Sequence, residues 1–209
     1  ENTQVNEQVN EQADVTGSAV GEQTEGFSFQ FDATTGTAAV TGYTGVDTAI
    51  VIPAQTVKGG ITYKVTSVAE RAFYNNDSII SVIFEGGIKN IGNSAFEHCD
   101  SLQKVELCDS IESMGEGVFS GCSQLKEVRL SAGLKQISNQ AFSDCKNLKE
   151  IQIPDAVELI NSWSFDNCTS LEKVVFSNSS MCKTIGNSAF KGCTTLKNVT
   201  LSPLTESIH

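Results

Sequence analysis

The sequence predicts an α/β solenoid, a coil of six tandem units in which every turn gives one short strand to a parallel sheet. Three observations carry this expectation. Phenylalanine recurs at Phe73, Phe96, Phe119, Phe142, Phe165 and Phe190, with spacings of 23, 23, 23, 23 and 25 residues. Apolar residues hold fixed offsets from each of these positions. Two of the offsets, nine and eleven residues after the Phe, are two apart, the period of a strand with one buried face. Self-similarity at a period between about 20 and 50 residues marks architectures in which a unit that buries little alone is stabilised by its neighbours.

Taken in chain order, residues 1–26 hold Gln, Asn, Glu, Thr, Gly and Ser with scattered Val and Ala. Such a segment cannot bury enough apolar surface to offset its ordering entropy and reads as a flexible acidic tether. The absence of a leader and of an initial Met reads as a mature or trimmed form. Residues 27–66 read as an N-terminal β capping segment, with alternating runs at Phe27–Phe31, Ala38–Tyr43, Ile50–Ile52 and Ile61–Val65. A cap is expected because the first unit would otherwise expose its open edge. Residues 67–209 form the solenoid of six units of about 23 residues, the last one truncated.

Within each unit the columns have separate physical roles. Five residues before the Phe stands Val68, Ile91, Met114, Ile137, Ile160 or Ile185. Directly before it stands Ala72, Ala95, Val118, Ala141, Ser164 or Ala189. Both columns lie in the return arm, expected to run through short helical turns and loops. Six residues after the Phe comes Ile79, Leu102, Leu125, Leu148, Leu171 or Leu196. The strand then places Val82, Val105, Val128, Ile151, Val174 or Val199 inward, and two residues later Phe84, Leu107, Leu130, Ile153, Phe176 or Leu201. Stacked at about 4.8 Å, six such strands make a sheet roughly 25–30 Å wide. Gly92, Gly115 and Gly186 recur four residues before the Phe, where a tight bend calls for positive φ, although Ser138 and Asn161 fill the same column.

Five of the seven cysteines share one column, three residues after the Phe: Cys99, Cys122, Cys145, Cys168 and Cys193. A line of thiols one unit apart does not converge on a point as a tetrahedral metal site requires. Their nearly parallel Cβ vectors also disfavour disulfides. The column reads as small buried hydrophobes. Cys108 and Cys182 stand off it, and the sequence leaves free thiol and disulfide open for both.

The inventory for catalysis is thin. The chain has two histidines. His98 falls in a column with Asn75, Gly121, Asp144, Asn167 and Gly192, which reads as solvent-facing, and His209 is the last residue. No nucleophile elbow, phosphate loop, zinc-protease or EF-hand pattern is present. Scattered acids read as solvated surface rather than as a glycosidase pair. No catalytic, cofactor-binding or metal-binding residue is expected. The net charge of −11 also excludes function classes. Residues 1–57 carry eight acids and no Lys or Arg, and the remainder is near balance at 17 acids and 14 bases. No basic face is available for nucleic acid. No stretch reaches the roughly 18–20 apolar residues of a membrane span. Asn-X-Ser/Thr sequons at Asn76, Asn167, Asn178 and Asn198 are expected from a chain rich in these residues.

The strand signature LxxVxL, followed by a return arm reading IGxxAFxxC, resembles the BspA-like leucine-rich-repeat family. Residues 91–107 (IGNSAFEHCDSLQKVEL) and 185–201 (IGNSAFKGCTTLKNVTL) carry the match, which covers about residues 61–209. Residues 38–73 look like the N-terminal capping segment of such proteins. The resemblance implies an α/β leucine-rich-repeat right-handed solenoid, with a parallel sheet on the concave side, short helical turns and loops on the convex side, and an N-terminal β cap. It further implies an extracellular or cell-surface-anchored protein of a host-associated organism, any membrane tether lying upstream of residue 1. The role it implies is non-catalytic adhesion or ligand binding, without a cofactor, toward an extracellular protein or glycan. A structural spacer or surface-layer component is the second reading.

On such a coil the outward strand residues are available to a partner. The middle of that face carries Lys104, Glu106, Glu127, Arg129, Glu150, Gln152 and Lys173, mixed charges that suit a polar protein or glycan. The same charges also suit mutual pairing that keeps the sheet soluble. Trp163 stands in a column of Arg71, Ser94, Gly117, Gln140 and Ser188 and is expected to be exposed. An exposed Trp marks a binding hot spot, unless it folds over the adjacent turn.

Overall fold

The computed structural model describes residues 24–197 and 199–209 of the chain. Residues 1–23 of the expected tether and the sequon at Asn198 therefore lie outside the described residues. Five strands come first: β1 (Phe27–Asp32), β2 (Thr37–Tyr43), β3 (Ala49–Ile52), β4 (Gln55–Lys58) and β5 (Ile61–Val68). Each later coil adds strands to two ladders. One ladder takes β6 (Ser81–Phe84), β8 (Lys104–Glu106), β10 (Glu127–Arg129), β12 (Glu150–Gln152) and β14 (Lys173–Val175). The other takes the two-residue strands β7 (Asn90–Ile91), β9 (Ser113–Met114), β11 (Gln136–Ile137), β13 (Leu159–Ile160), β15 (Thr184–Ile185) and β16 (Ser207–Ile208).

The pairings follow the repeat. β8 and β10 are parallel with Val105 beside Val128, and β12 and β14 with Ile151 beside Val174. β3 extends the first ladder by pairing with β6, and the antiparallel hairpin β1–β2 extends the second through β5. At this end the Phe27 ring meets Tyr43 at 4.7 Å and stands edge-on to Phe73 at 6.5 Å. Alternation along the strands is as the sequence predicts: Val82, Val105 and Ile151 are buried, while Lys104, Glu127 and Glu150 face solvent. The sixth unit departs from it. Residues 199–201 form no strand, Leu201 is exposed, and a cleft of about 870 Å³ opens between β14 and residues Thr194, Thr195, Lys197 and Thr200.

The predicted short helical turns are not formed, and the α/β class is corrected to an all-β solenoid. No helix occurs among the described residues. The reason lies in two columns, two residues before and two after each Phe, which hold positive φ. Arg71, Ser94, Gln140, Trp163 and Ser188 do so at 52–56°, and Asn75, His98, Asp144 and Asn167 at 56–58°. Left-handed residues this close together interrupt any right-handed helical run. They serve a third ladder instead. Phe73 N–H donates to the Ala95 carbonyl at 2.8 Å, flanked by Arg71 N–H to Asn93 and Asn75 N–H to Glu97, and the triplet recurs coil after coil. The Phe rings stack along this ladder at centroid distances of 4.5, 5.4, 5.5, 5.3 and 5.3 Å.

The glycine column also needs a different explanation. Gly92, Gly115 and Gly186 do not have positive φ. A Cβ added at Gly92 would lie 2.4 Å from Glu70 N, and one at Gly115 would lie 2.3 Å from Asn93 N, so close approach of the preceding coil excludes a side chain. The N–H of this position donates to the preceding coil, as from Gly92 to Val68 and from Gly115 to Ile91, each at 2.8 Å.

Ser138 stands in that column and marks a seam. Its hydroxyl, not its N–H, donates to the Met114 carbonyl. Between these two units β9 is not paired with β11, nor β10 with β12. Of the backbone ladders only the third crosses, through Gly117 N–H to Asn139, Phe119 N–H to Ala141 and Gly121 N–H to Ser143, beside side-chain bonds from Ser138, Asn139, Cys145 and Asn147. Asn161 retains its N–H bond to Ile137 at 2.9 Å and adds one from its amide, so a Cβ alone does not open the stack. At Ser138 the hydroxyl takes over the acceptor.

The cysteine column is hydrogen-bonded throughout and buried except at Cys193, which is half-buried. Each thiol donates to the carbonyl of the Phe in the preceding coil: Cys99 to Phe73 at 3.0 Å, Cys122 to Phe96 at 3.1 Å and Cys145 to Phe119 at 3.3 Å. All seven cysteines are free, including Cys108 and Cys182. Burial pushes the Cys122 and Cys145 thiols well above the ordinary value of 9.0. Unfolded thiols ionise near that value and these folded ones do not, so above it the unfolded state binds fewer protons. Their contribution is therefore present below pH 9 and is lost as the pH rises past it. Urea midpoints measured from about pH 8 to 10.5 are expected to fall, and to fall less in a Cys122→Ala, Cys145→Ala double variant. Equal slopes in both proteins would contradict this.

Candidate functional site

The period of two in the first ladder turns the residues eight and ten after each Phe away from the core. Lys104 and Glu106 on β8, Glu127 and Arg129 on β10, and Glu150 and Gln152 on β12 thereby line one shallow depression of about 400 Å³, with Lys126 at its edge. Lys173 on β14 lies one strand further and borders the C-terminal cleft. The structure thus brings seven of the sequence-predicted residues onto one face. Trp163 is not among them: it sits on the third ladder, exposed over 44% of its surface.

Most charges on the strand face are engaged with one another. Lys104 Nζ lies 2.7 Å from Glu106 Oε1 on the same strand, and Lys173 Nζ lies 3.0 Å from Glu150 Oε1 across strands. The hydrogen bond to Glu106, then the charges of Glu106 and Glu127, raise the Lys104 ammonium above its ordinary value. Arg129 is a clamp. Its Nη2 reaches both carboxylate oxygens of Asp109 at 2.9 Å, and its Nη1 donates to the Leu107 carbonyl. The Asp109 carboxyl is held below its ordinary value, first by the Ala132 N–H and then by the Arg129 hydrogen bond. These are exposed pairs, each of modest net effect on stability. Among the described residues Glu127 has no ion pair within 4 Å and Gln152 carries no charge to pair, so these are the groups most available to a partner.

Sequence reasoning missed Asp109, which stands where other units carry Gly86, Ala132, Asp155 and Asn178, so no column marks it. It also missed a signal that was in view on the second ladder. Seven residues before each Phe from Phe96 onward the sign alternates through Lys89, Glu112, Lys135, Glu158 and Lys183. Lys89 pairs with Glu112 at 2.7 Å and Lys183 with Glu158 at 3.5 Å. Among the described residues no group of three or more His, Cys, Asp or Glu is placed to hold a metal ion. No helix there is long and apolar enough to cross a membrane.

The model of the BspA-type leucine-rich repeat region matches residues 57–172 and 124–209, in six copies. The chain belongs to this family. Among solved structures, the leucine-rich repeat protein of T. pallidum is 25% identical with a TM-score of 0.62, the alignment covering 83% of this chain and 89% of that one. A leucine-rich repeat protein from Bacteroides capillosus is 29% identical with a TM-score of 0.50, covering 73% of this chain and 94% of that one. A third, from Eubacterium ventriosum, is 22% identical with a TM-score of 0.51, covering 77% and 56%, and shows the fold alone. No curated protein matches the chain. BspA-type repeats explain the coil and its columns. They form a repeat family rather than an enzyme family, and fold by itself does not name a partner.

Proposed function

We propose that this BspA-type repeat protein is a non-catalytic binding module at the cell surface or outside the cell, engaging a protein or glycan partner across the first-ladder face. In this reading residues 27–66 cap the coil and residues 67–209 are its binding body. The observation that carries it is the outward face shared by β8, β10 and β12, where Glu127 stands without an ion-pair partner among the described residues and Gln152 offers a neutral amide beside otherwise matched charges. A polar, extended surface of this kind takes its affinity from a few anchors spread over several repeats. Family membership supports the same reading.

The mutual pairing of Lys104 with Glu106 and of Lys173 with Glu150 favours a second reading, a spacer whose surface charges serve solubility. Immobilised host matrix proteins and mucin-type glycans, probed with the full chain and with Glu127→Lys, separate the two. Binding is expected to be saturable and to weaken about tenfold in the variant, a loss near 1.4 kcal/mol. Arg129 is unsuited to this test because its change would also release Asp109. Absence of saturable binding across the panel would support the spacer.

A further inference from the structure

The outward face of the first ladder changes character at its N-terminal end. Ten residues after the Phe, the middle coils carry Glu106, Arg129 and Gln152, while the first carries Ile83. Ile83 on β6 stands beside Val51 on β3. The two are exposed over 42% and 41% of their surfaces, while Ile50, Ile52, Val82 and Phe84 around them are buried. The polar residues of the other coils show that this outward position needs no apolar side chain to keep the strand.

Val51 also lines a cleft of about 750 Å³ with Phe27, Tyr43, Val46 and Ala49. Val46 is exposed over 93% of its surface, yet its loop is closely held. Thr44 N–H donates to the Gly26 carbonyl at 2.8 Å, and a Cβ added at Gly26 would lie 2.6 Å from Gly45 Cα. A valine fixed in water by such a loop gains no burial of its own. Acids stand in the same cleft. Glu25, Asp47 and Glu85 line it, and no Lys or Arg does. Among the described residues none of the three has an ion-pair partner within 4 Å. Glu85 Oε2 accepts the Ala54 N–H at 2.7 Å, which orients that carboxylate.

We propose that this cleft docks a segment of a partner protein that combines apolar side chains with Lys or Arg. An exposed apolar patch with a polar rim marks a protein-interaction surface, and the sign of the rim charge selects the partner. The same acids repel nucleic acid and anionic lipid. They also disfavour the two occupants nearest at hand. Residues 1–23, which lead into the cleft at Glu25, carry five acids and no base. A second copy docking end to end would bring the same acids. The site is built from the N-terminal strands and β6 and does not rest on the partner face of β8, β10 and β12.

The full chain is titrated, to about 0.5 mM, into a short fluorescein-labelled peptide of alternating Leu and Lys, with anisotropy as the readout; this range reaches weak peptide affinities. Saturable binding is expected, weaker by about tenfold or more when Glu replaces Lys in the peptide or Ser replaces Leu. Val46→Ser, Asp47→Asn and the pair Val51→Thr, Ile83→Thr are each expected to weaken it about fivefold or more, with the circular dichroism unchanged. The threonines keep β-branched residues in the strands. Asp100→Asn, which removes the same charge outside the cleft, should leave binding unaltered. Absence of saturable binding would overturn the proposal, as would equal binding of the Ser–Lys peptide or indifference to the Val46 and Asp47 variants. Tighter binding by a Val15→Ser, Val20→Ser variant would assign the cleft to the chain's own N-terminal segment. A dimer in sedimentation velocity that is lost in Val46→Ser would assign it to a second copy. Either result overturns the proposal as well.

Discussion

Phe142→Ala lowers the unfolding free energy by about 3–5 kcal/mol, the range for removing a fully buried aromatic ring. The ring has no exposed surface and stacks on Phe119 at 5.5 Å and Phe165 at 5.3 Å. Aromatic pairs of this kind add about 0.5–1.5 kcal/mol each beyond the burial of area, and the truncation removes two of them. Phe142 also stands where neither strand ladder crosses, so the third ladder and its rings are the main tie between the two halves. Truncation there should broaden the urea transition or divide it, whereas Phe96→Ala should lower the midpoint of a transition that stays single. The measurement is urea unfolding followed by circular dichroism. A loss below about 1 kcal/mol would show that the column tolerates a cavity this structure does not admit.

The second large effect concerns a single methyl group. Gly115→Ala places a Cβ 2.3 Å from Asn93 N and 2.5 Å from Gly92 C, both backbone atoms that cannot swing aside. The coil must shift, at an expected cost of about 1–3 kcal/mol. Gly86→Ala is the matched control, because nothing lies within 4 Å of its Cβ and its φ is not positive. Reduced freedom of the unfolded chain should leave that variant unchanged or stabilised by up to about 1 kcal/mol. Thermal unfolding of the two proteins side by side decides the matter. Equal behaviour would mean that the glycine column is not set by close approach.

Much of the coil was legible because its determinants recur. The inward pair at Val105 and Leu107 repeats in the other units, and repetition identifies a column even where one member is ambiguous. Four of the five N-terminal strands were equally plain, since residues such as Phe27, Phe29 and Phe31 alternate with polar ones, but β4 (Gln55–Lys58) was not read from its mixed sequence. The return arm was not legible. Positive φ in the columns of Arg71 and Asn75 is filled by Arg, Ser, Gln, Trp, Asn, His and Asp as well as by Gly. No residue type announces that conformation, and the mixed columns resemble short helical turns. Gly92 raised the opposite difficulty: its identity was a signal, but a missing Cβ serves close approach as well as positive φ.

The candidate face was legible as a set of outward positions, because parity places Lys104, Glu127 and Glu150 together. Which of their charges pair was not. Lys104 turns to Glu106 two residues along its own strand, while Arg129 reaches Asp109 at the end of the preceding coil. Sequence offsets do not choose between such partners. Ser138 was noted as an exception in the glycine column, but that its hydroxyl would displace an N–H from the Met114 carbonyl is a matter of three-dimensional spacing.

The interrupted pairing at Ser138 has a mechanical consequence. Coils joined by three backbone ladders and one pair of coils joined by a single backbone ladder and a few side-chain bonds behave as stiff springs in series with a soft one. Elongation under load gathers in the softest element, whatever the stiffness of the rest. If this chain is pulled between a surface and a captured partner, the strain falls first between the strands at Met114 and Ile137 and between those at Val128 and Ile151, while the aromatic column beside them acts as the hinge pin.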